Sequence, residues 1–402
     1  MLDLLPKALT PASQVALTPF EMKQLRPICA RLGPLLVFLA GTSLASGPGK
    51  AGEFLPGSVW RDTDGNPINA HGGGILVHND TYYWYGESKS GPTFLPDSNK
   101  SWGGTRVELS GVSCYSSTNL YDWTSHGLVL AAVPGDAQSD LHPSKVLERP
   151  KVIYNHAHKQ FVMWMHLDSA DYKAARTGVA VGDAPIGPFK FVGSSRPNAA
   201  AWPLNVTEKD KIAGPDNPLA RDFSNGQMAR DLTVFVDDDE KAYLFYASEE
   251  NLTMHVSALT EDYLRTAGKY ARIFVHRSME APAVFKHNHK YYLVASDCTG
   301  WAPNAARLAI SDSVFGPWKE LGNPCVGKDA EFTFQSQSTF VLPMPRSKGQ
   351  FIFMADRWNQ WDLADSRHVW LPLEFTANDK PIVRWREHWS SLDLRDGLQA
   401  RQ

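Results

Sequence analysis

The chain has 402 residues, a hydrophobic content of 43% and a formal net charge of −3. This composition predicts a packed globular protein, and the small net charge argues against nucleic acid or an anionic membrane surface as a partner. The 13 Trp, 13 Tyr and 19 Phe can serve in a core or as flat faces for sugar rings, and composition alone does not separate the two uses.

The first 45 residues carry the pattern of a secretory signal peptide. A basic stretch begins at Met22, an apolar run covers residues 32–40, and residues 43–45 (Ser-Leu-Ala) have the form of a cleavage site. The pattern predicts a secreted, extracellular protein in which 1–45 is the signal region, 46–57 is a flexible lead-in and Met22 is the expected true start. A membrane anchor is the alternative, but the apolar run is short for a hydrocarbon layer of about 30 Å.

Sequons and cysteines agree with an exported chain. Four N-x-Ser/Thr sequons predict glycosylation sites at Asn79, Asn99, Asn205 and Asn251. Three cysteines follow the signal region, so one of them is left without a disulfide partner. We expect a disulfide between Cys298 and Cys325, which fall in the same predicted blade, and a buried thiol at Cys114.

Beyond the signal region, one pattern recurs five times. A polar residue directly precedes a short apolar strand, which leads through a turn into an aromatic strand such as YYWYG or FVMWMH. The five polar residues are His71, Glu148, Asp231, Glu280 and Gln337. A repeat of about 50–80 residues built only of strands is typical of a propeller blade. The sequence therefore predicts an all-β fold, a five-bladed β-propeller over 58–402, whose inner strands bring these side chains around one axis.

Three of the five recurring polar residues are carboxylates, and paired carboxylates in a cleft carry out glycoside hydrolysis. Glu280 is the predicted general acid, because burial and a second carboxylate would raise its pKa. Asp231 stands one blade earlier at the equivalent position, and Glu148 one blade earlier still, followed by Arg149. The alternative is that these acids cap strands or join neighbouring blades through salt bridges.

Seven segments resemble glycoside hydrolase family 43, and within it the exo-β-1,3-galactanase branch, over about residues 58–392. They are AHGGG at 70–74, WYGE at 84–87, ERPKV at 148–152, DLTVFVDDD at 231–239, EAPA at 280–283, CTGWAPN at 298–304 and SQSTF at 336–340. The resemblance implies a five-bladed propeller that cleaves glycosidic bonds with inversion. It also implies that Glu280 is the acid and that Asp231 tunes its pKa.

The first blade departs from the usual family pattern. Asn69-Ala70-His71 stands where most of the family has its base Asp, and the galactanase branch shares this departure. In that branch a Gln on the fifth blade is held to position or activate the water, and Gln337 matches it. Glu148 is the other candidate to bind or polarise the water.

The resemblance also implies a pocket for the terminal sugar. The positions predicted to bind it are Glu87, Tyr172, Thr299, Trp301, Asn304 and His71. We expect an oligo- or polysaccharide partner, no nucleic acid, no membrane and a monomer. We also expect no cofactor and no metal, although a calcium ion in the channel, near His368, is left open.

The predicted function is release of galactose from the non-reducing end of the β-1,3-galactan main chain of arabinogalactan. An arabinofuranosidase or a β-xylosidase is an alternative within the family, but both would usually need the missing Asp of the first blade. A catalytically inactive, carbohydrate-binding propeller is the alternative from another class. The presence of both Asp231 and Glu280 argues against it, since binding alone needs no acid with a raised pKa.

Overall fold

The computed structural model describes residues 52–95, 105–345, 347 and 349–394. The predicted signal region and the sequon at Asn99 lie outside the described residues. Among the described residues, no helix is long and apolar enough to cross a membrane. The helices are a four-residue α-helix, α1 (Pro218–Arg221), and three 3₁₀ turns at Lys209–Lys211, Ala330–Phe332 and Leu363–Asp365.

In the described part of the chain, twenty-one strands form five sheets, and four of the sheets run along the chain in simple order from one strand to the next. Blade one contains β1 (His71–His78), β2 (Thr81–Glu87), β3 (Gly111–Ser117) and β4 (Thr124–Ala131). Blade two contains β5 (Val146–Asn155), β6 (Gln160–Asp168), β7 (Arg176–Gly182) and β8 (Lys190–Ser195). Blade three contains β9 (Leu232–Val236), β10 (Ala242–Ser248), β11 (Thr253–Leu259) and β12 (Thr266–Ile273).

Blades four and five follow the same antiparallel scheme, with one addition. Blade four contains β13 (Met279–His287), β14 (Lys290–Asp297), β15 (Arg307–Ser311) and β16 (Lys319–Gly322). Blade five contains β17 (Cys325–Val326), β18 (Gln337–Pro343), β19 (Phe351–Arg357), β20 (Arg367–Phe375) and β21 (Pro381–Arg384). The addition is β17, which pairs in parallel with β21 at the outer edge before the chain enters the inner strand β18.

The inner strands close a ring. Strand β1 contacts β5 and β18, and the ring continues from β5 to β9, from β9 to β13 and from β13 to β18. Five hydrophobic clusters lie between neighbouring blades, one at each of the five junctions. The aromatic second strands supply much of this packing, because each of them is covered on both faces. The prediction of an all-β, five-bladed propeller is confirmed.

The two ends of the described chain meet at the junction of blades one and five. Phe54 pairs with Trp389 through two backbone hydrogen bonds of 2.7 and 3.2 Å, and their rings stack with centroids 4.2 Å apart. Both side chains are buried in a cluster that also holds Trp84 and Trp370. The segment that begins at Phe54 therefore contributes to the core at the closure of the ring.

The predicted disulfide between Cys298 and Cys325 is wrong. All three cysteines among the described residues are free. Cys298 follows β14, the second strand of blade four, whereas Cys325 begins β17 at the outer edge of blade five. The prediction assigned both cysteines to one blade because no sequence pattern indicates the two-residue strand β17. Cys114 is a buried free thiol, as expected.

Phe54→Ala should lower the free energy of unfolding by about 3–5 kcal/mol, because it removes a buried ring that closes the propeller. The measurement is urea denaturation followed by tryptophan fluorescence. Val59→Ala is the control, since Val59 is 43% exposed and such a surface change should cost less than about 0.5 kcal/mol. Equal midpoints for the two variants would show that the Phe54 contact does not stabilise the ring.

Candidate active site

The recurring polar residues stand at the same end of the inner strands, where four of the five strands are bulged. Register shifts follow His71 in β1, Glu148 in β5 and Glu280 in β13, and a fourth lies just after Gln337 in β18. A bulge bends a strand and re-aims its side chains. These bulges explain how residues at the beginning of flat strands can point into a common space at the mouth of the channel.

The bulges have a local cause in two of the strands. Arg149 and Ala281 have positive φ angles of 56° and 54°, and each is followed by a proline, Pro150 or Pro282. Proline has no N–H to donate to a ladder, so within a sheet it is confined to edges and bulges. The motifs Glu-Arg-Pro and Glu-Ala-Pro therefore specify both the acid and the bulge that orients it.

A cavity of about 460 Å³ opens at this end of the channel. That volume lies within the range of small-ligand pockets. Of the sequence-predicted residues, those that line it are Glu87, Glu148, Tyr172, Asp231, Glu280, Trp301 and Gln337. The other lining residues include Arg149, His166, Arg230, Glu250, Asn251, Cys298 and Trp358. The structure thus brings all four predicted catalytic side chains to one cavity.

A buried guanidinium joins three blades at the floor of the cavity. Arg149 lies 2.9 Å from Asp231 Oδ2 and donates to Gln337 Oε1 at 2.6 Å and to the backbone oxygen of Ser338 at 3.2 Å. Burial disfavours its charge, but the anionic neighbours outweigh burial, with Asp231 first and Glu87 second, so the pKa of Arg149 is raised. The cation is therefore permanent.

The amide of Gln337 is fixed in one orientation by four partners. Its Oε1 accepts from Arg149 and from Trp358 Nε1 at 3.0 Å. Its Nε2 donates to Glu280 Oε1 at 3.1 Å and to Ser296 Oγ at 2.9 Å. The reverse orientation would set the amide donors against the Arg149 and Trp358 donors, so the network selects this one.

This orientation places Gln337 directly beside Glu280. An inverting site needs about 6.5–9.5 Å between the acid and the group that activates water, so that a sugar and a water fit between them. No sugar fits across a hydrogen bond of 3.1 Å. In this arrangement Gln337 contacts the acid directly, and its role in holding the water stays a prediction.

Glu280 has the electrostatic surroundings of a general acid. Desolvation and the charge of Asp231 raise its pKa to about 8, although Arg149 and a hydrogen bond with the Cys298 thiol act in the opposite direction. A carboxyl with this pKa is protonated at neutral pH and can donate its proton. Asp231 also accepts the backbone N–H of Ala281 at 3.0 Å, which ties it to the bulge beside the acid.

Glu148 is the opposite case, a carboxylate that stays ionised. Its Oε1 accepts from Tyr172 at 2.7 Å, and its Oε2 lies 3.2 Å from His166 Nδ1. Burial raises its pKa, but the hydrogen bond from His166, the Lys89 charge and the Tyr172 hydroxyl outweigh burial and lower the pKa to about 2. Two carboxyl groups in one cavity thus have pKa values pushed far apart, as acid and base assignments require.

Glu87 lines the cavity and is paired with a lysine that the sequence analysis did not single out. Lys89 is buried, and its Nζ lies 2.9 Å from Glu87 Oε2 and 5.1 and 5.6 Å from the ring centroids of Trp301 and Trp358. Burial raises the pKa of Glu87 to about 7, against the effect of Lys89. The carboxylate of Glu87 and the two indoles line the cavity with both polar and flat apolar surfaces, which suits a sugar ring, and Lys89 contacts all three from outside the lining.

Three residues predicted to bind the sugar do not line the cavity. Thr299 and Asn304 hydrogen-bond to each other at 2.6 Å and shape the loop that carries Trp301. His71 is fully buried behind the cavity, where it stacks on His368 with centroids 4.7 Å apart. Direct contact of these three residues with sugar stays a prediction.

Two side-chain clusters contain ligand types that metals use. In one, Asp356 lies 2.9 Å from His368 Nδ1 and 3.5 Å from His71 Nδ1, and it accepts the Gly72 N–H at 2.6 Å. The hydrogen bonds among these groups account for the arrangement by joining blades one and five. The other consists of Glu148, His166 and Asp231, where His166 donates from both nitrogens and has none free for a metal. The expected absence of a cofactor stays a prediction.

Comparison with known proteins identifies the family. The sequence pattern described as glycosyl hydrolases family 43 matches residues 66–341. The chain belongs to glycoside hydrolase family 43. Among solved family 43 enzymes, a β-1,3-galactosidase named BT3683, with galactodeoxynojirimycin, is 46% identical, with a TM-score of 0.77 over 84% of this chain and 100% of that one.

Further relatives are similar to this chain at lower identity. An exo-β-1,3-galactanase from Phanerochaete chrysosporium, with β-1,3-galactotriose, is 33% identical over 84% of this chain and 68% of its own, with a TM-score of 0.69. One from Clostridium thermocellum is 36% identical over 84% and 66%, also with a TM-score of 0.69. A curated relative, β-D-galactofuranosidase xynD of Aspergillus niger, is 23% identical over 58% of this chain, which spans 66% of that protein.

Asp231→Asn should move the alkaline limb of the pH–rate profile of this family 43 enzyme to lower pH. The variant loses the negative charge that raises the pKa of Glu280, and the acid then loses its proton at lower pH. The measurement is kcat/KM against pH. Asp312→Asn, an exposed residue paired with Lys290, is the control and should leave the limb in place. An unmoved limb in Asp231→Asn would mean that Asp231 only binds sugar.

Proposed function

We propose that this family 43 enzyme is a secreted exo-β-1,3-galactanase that removes galactose from the non-reducing end of β-1,3-galactan with inversion. The observation that carries the proposal is the pair Glu280 and Asp231 at the floor of the cavity, where the acid is protonated at neutral pH. The substrate class rests on the relatives, which are a β-1,3-galactosidase and exo-β-1,3-galactanases at 33–46% identity.

The proposed reaction is a single displacement. Glu280 gives its proton to the glycosidic oxygen, and the bond from that oxygen to C1 breaks with its electron pair left on the leaving sugar. Water attacks C1 from the opposite face, and its proton passes to Glu148. Glu148 suits this role because it is ionised and, unlike Gln337, is not hydrogen-bonded to Glu280. Exchange with solvent then restores both carboxyl groups.

The neighbouring groups have supporting roles in this proposal. Arg149 and Gln337 orient Glu280 and Asp231, while Glu87 and Trp301, both in contact with Lys89, form the wall for the terminal sugar. The extracellular location rests on the signal pattern at residues 1–45. Action as a monomer and without a cofactor is part of the same proposal.

Digestion of linear β-1,3-galactan tests the proposal. Galactose should be the only early product, and proton NMR during the first turnovers should show its α-anomer, because one displacement inverts a β-linkage. Oligosaccharides as first products would contradict exo action. An early β-anomer would contradict inversion and indicate Glu148 as a nucleophile. Activity only on arabinofuranosides, xylosides or galactofuranosides would contradict the substrate class.

Glu280→Gln separates an enzyme from a carbohydrate-binding protein without catalytic activity. The amide keeps the shape of the side chain but has no acidic proton, so kcat on β-1,3-galactobiose should fall by a factor on the order of 10²–10⁴. Binding of galactobiose, measured by calorimetry, should change little. A variant that keeps a tenth of the wild-type rate would show that Glu280 is not the acid. A wild type that binds but never cleaves would support the binding protein.

A further inference from the structure

Behind Glu148 lies a chain of charged groups that the proposed reaction does not touch. His166 has its Nδ1 3.2 Å from Glu148 Oε2 and its Nε2 2.9 Å from Asp168 Oδ2. His166 is 1% exposed and Asp168 is 3% exposed. Asp168 is in turn held by the backbone N–H groups of Ser169 and Ala175, both at 2.9 Å. These contacts link the backbone to Asp168, Asp168 to His166, and His166 to Glu148 at the cavity.

The partners define the protonation state of His166. A neutral imidazole has one donor and one acceptor, but each nitrogen of His166 faces a carboxylate oxygen that can only accept. Burial lowers the pKa of His166, and the two carboxylates outweigh burial and raise it to about 9. His166 is therefore an imidazolium between two anions.

We infer that His166 and Asp168 are positioning residues that hold Glu148 as an oriented carboxylate for the attacking water. The inference rests on the proposed function, since it assigns the water to Glu148. Tyr172 fixes Oε1 of Glu148 and His166 fixes Oε2. Because both oxygens of Glu148 accept hydrogen bonds from these side chains, the orientation of the carboxylate plane is fixed. The remaining lone pairs are available to a molecule in the cavity.

A structural role alone does not explain a buried cation at this position. The end of β6 could be satisfied by a neutral hydrogen-bonding side chain, which would not require a second buried carboxylate to balance it. Instead the protein places the positive charge of His166 beside Glu148 and the negative charge of Asp168 on the other side of His166. Such a cation keeps a carboxylate ionised under acidic conditions, and ionised Glu148 is what the water requires.

Other charged groups also act on Glu148 and must be considered in any test. From other strands or loops these are Glu87, Lys89, Tyr172, Asp231 and Glu280, and Arg149 acts from the same strand. Of the groups that lower the pKa of Glu148, His166 contributes most and Lys89 follows. Removal of His166 leaves the others in place, so its effect can be measured separately.

His166→Asn is the decisive variant, because its amide can still donate to Glu148 from near the Nδ1 position but carries no charge. The pKa of Glu148 should rise, and the acidic limb of kcat/KM on β-1,3-galactobiose should move to higher pH. At a pH below the midpoints of both acidic limbs, the variant should be at least about tenfold less active than wild type at the same pH, as expected for a shift of one unit or more. The alkaline limb should stay in place.

Two further variants complete the test. Asp168→Asn weakens the charge of His166 and should move the acidic limb in the same direction by a smaller amount. His255→Gln is the matched control, since His255 is equally buried and lies 2.8 Å from Glu249 Oε1 but does not line the cavity. It should leave both limbs in place. An acidic limb that does not move in either test variant overturns the inference, even if the rate falls at every pH.

A second readout does not depend on the substrate. Nitrogen NMR of histidine-labelled wild type, with the His166 signals assigned from their loss in His166→Asn, should show both ring nitrogens protonated at about pH 7. A neutral His166 would overturn the inference. If wild type cleaves no β-1,3-galactan, the proposed function fails while this spectrum still decides the charge of His166. If it cleaves and the acidic limb stays in place, only the inference fails.

Discussion

The site depends on the buried guanidinium of Arg149. It comes from blade two, its ion-pair partner Asp231 comes from the edge of blade three, and Gln337 and Ser338 come from blade five. A buried charge that loses its partner costs about 3–5 kcal/mol, so the fold is constrained to keep these three blades in register. The same contacts place an amide and a second carboxylate beside Glu280. The stability of the channel mouth and the position of the carboxylate that helps to raise the pKa of the acid therefore depend on the same contacts.

The propeller makes this network possible through strand pairing. In each hairpin the start of the inner strand lies opposite the end of the second strand. Glu148 pairs with His166, Glu280 with Ser296 and Gln337 with Asp356. Each of these three side chains at the mouth of the channel thus has a polar neighbour from its own blade, and the bulges turn it toward the neighbouring blades. The cavity is built from pairs of residues rather than from single inward-facing ones.

The sequence predicted the first member of each pair but not the second. The inner strands could be recognised because a polar residue before an apolar run recurs five times, and the same pattern predicted the blades and the four catalytic candidates that meet in one cavity. His166 lies two residues before the end of the strand QFVMWMHLD, and hairpin pairing opposite Glu148 would have identified it. No sequence pattern identified Lys89, because its position beside the cavity depends on packing against Trp301 and Trp358. The failed disulfide has a similar reason, since a two-residue strand such as β17 carries no periodicity.

The central claim is that the cavity keeps Glu280 protonated at neutral pH, with the charge of Asp231 close by. Carbon NMR of side-chain carboxyl groups, with the Glu280 signal assigned from its loss in Glu280→Gln, measures this protonation without any substrate. The account predicts a Glu280 carboxyl that is neutral at about pH 6 and titrates near pH 8. A Glu280 signal that is already that of a carboxylate at about pH 6 would contradict the account.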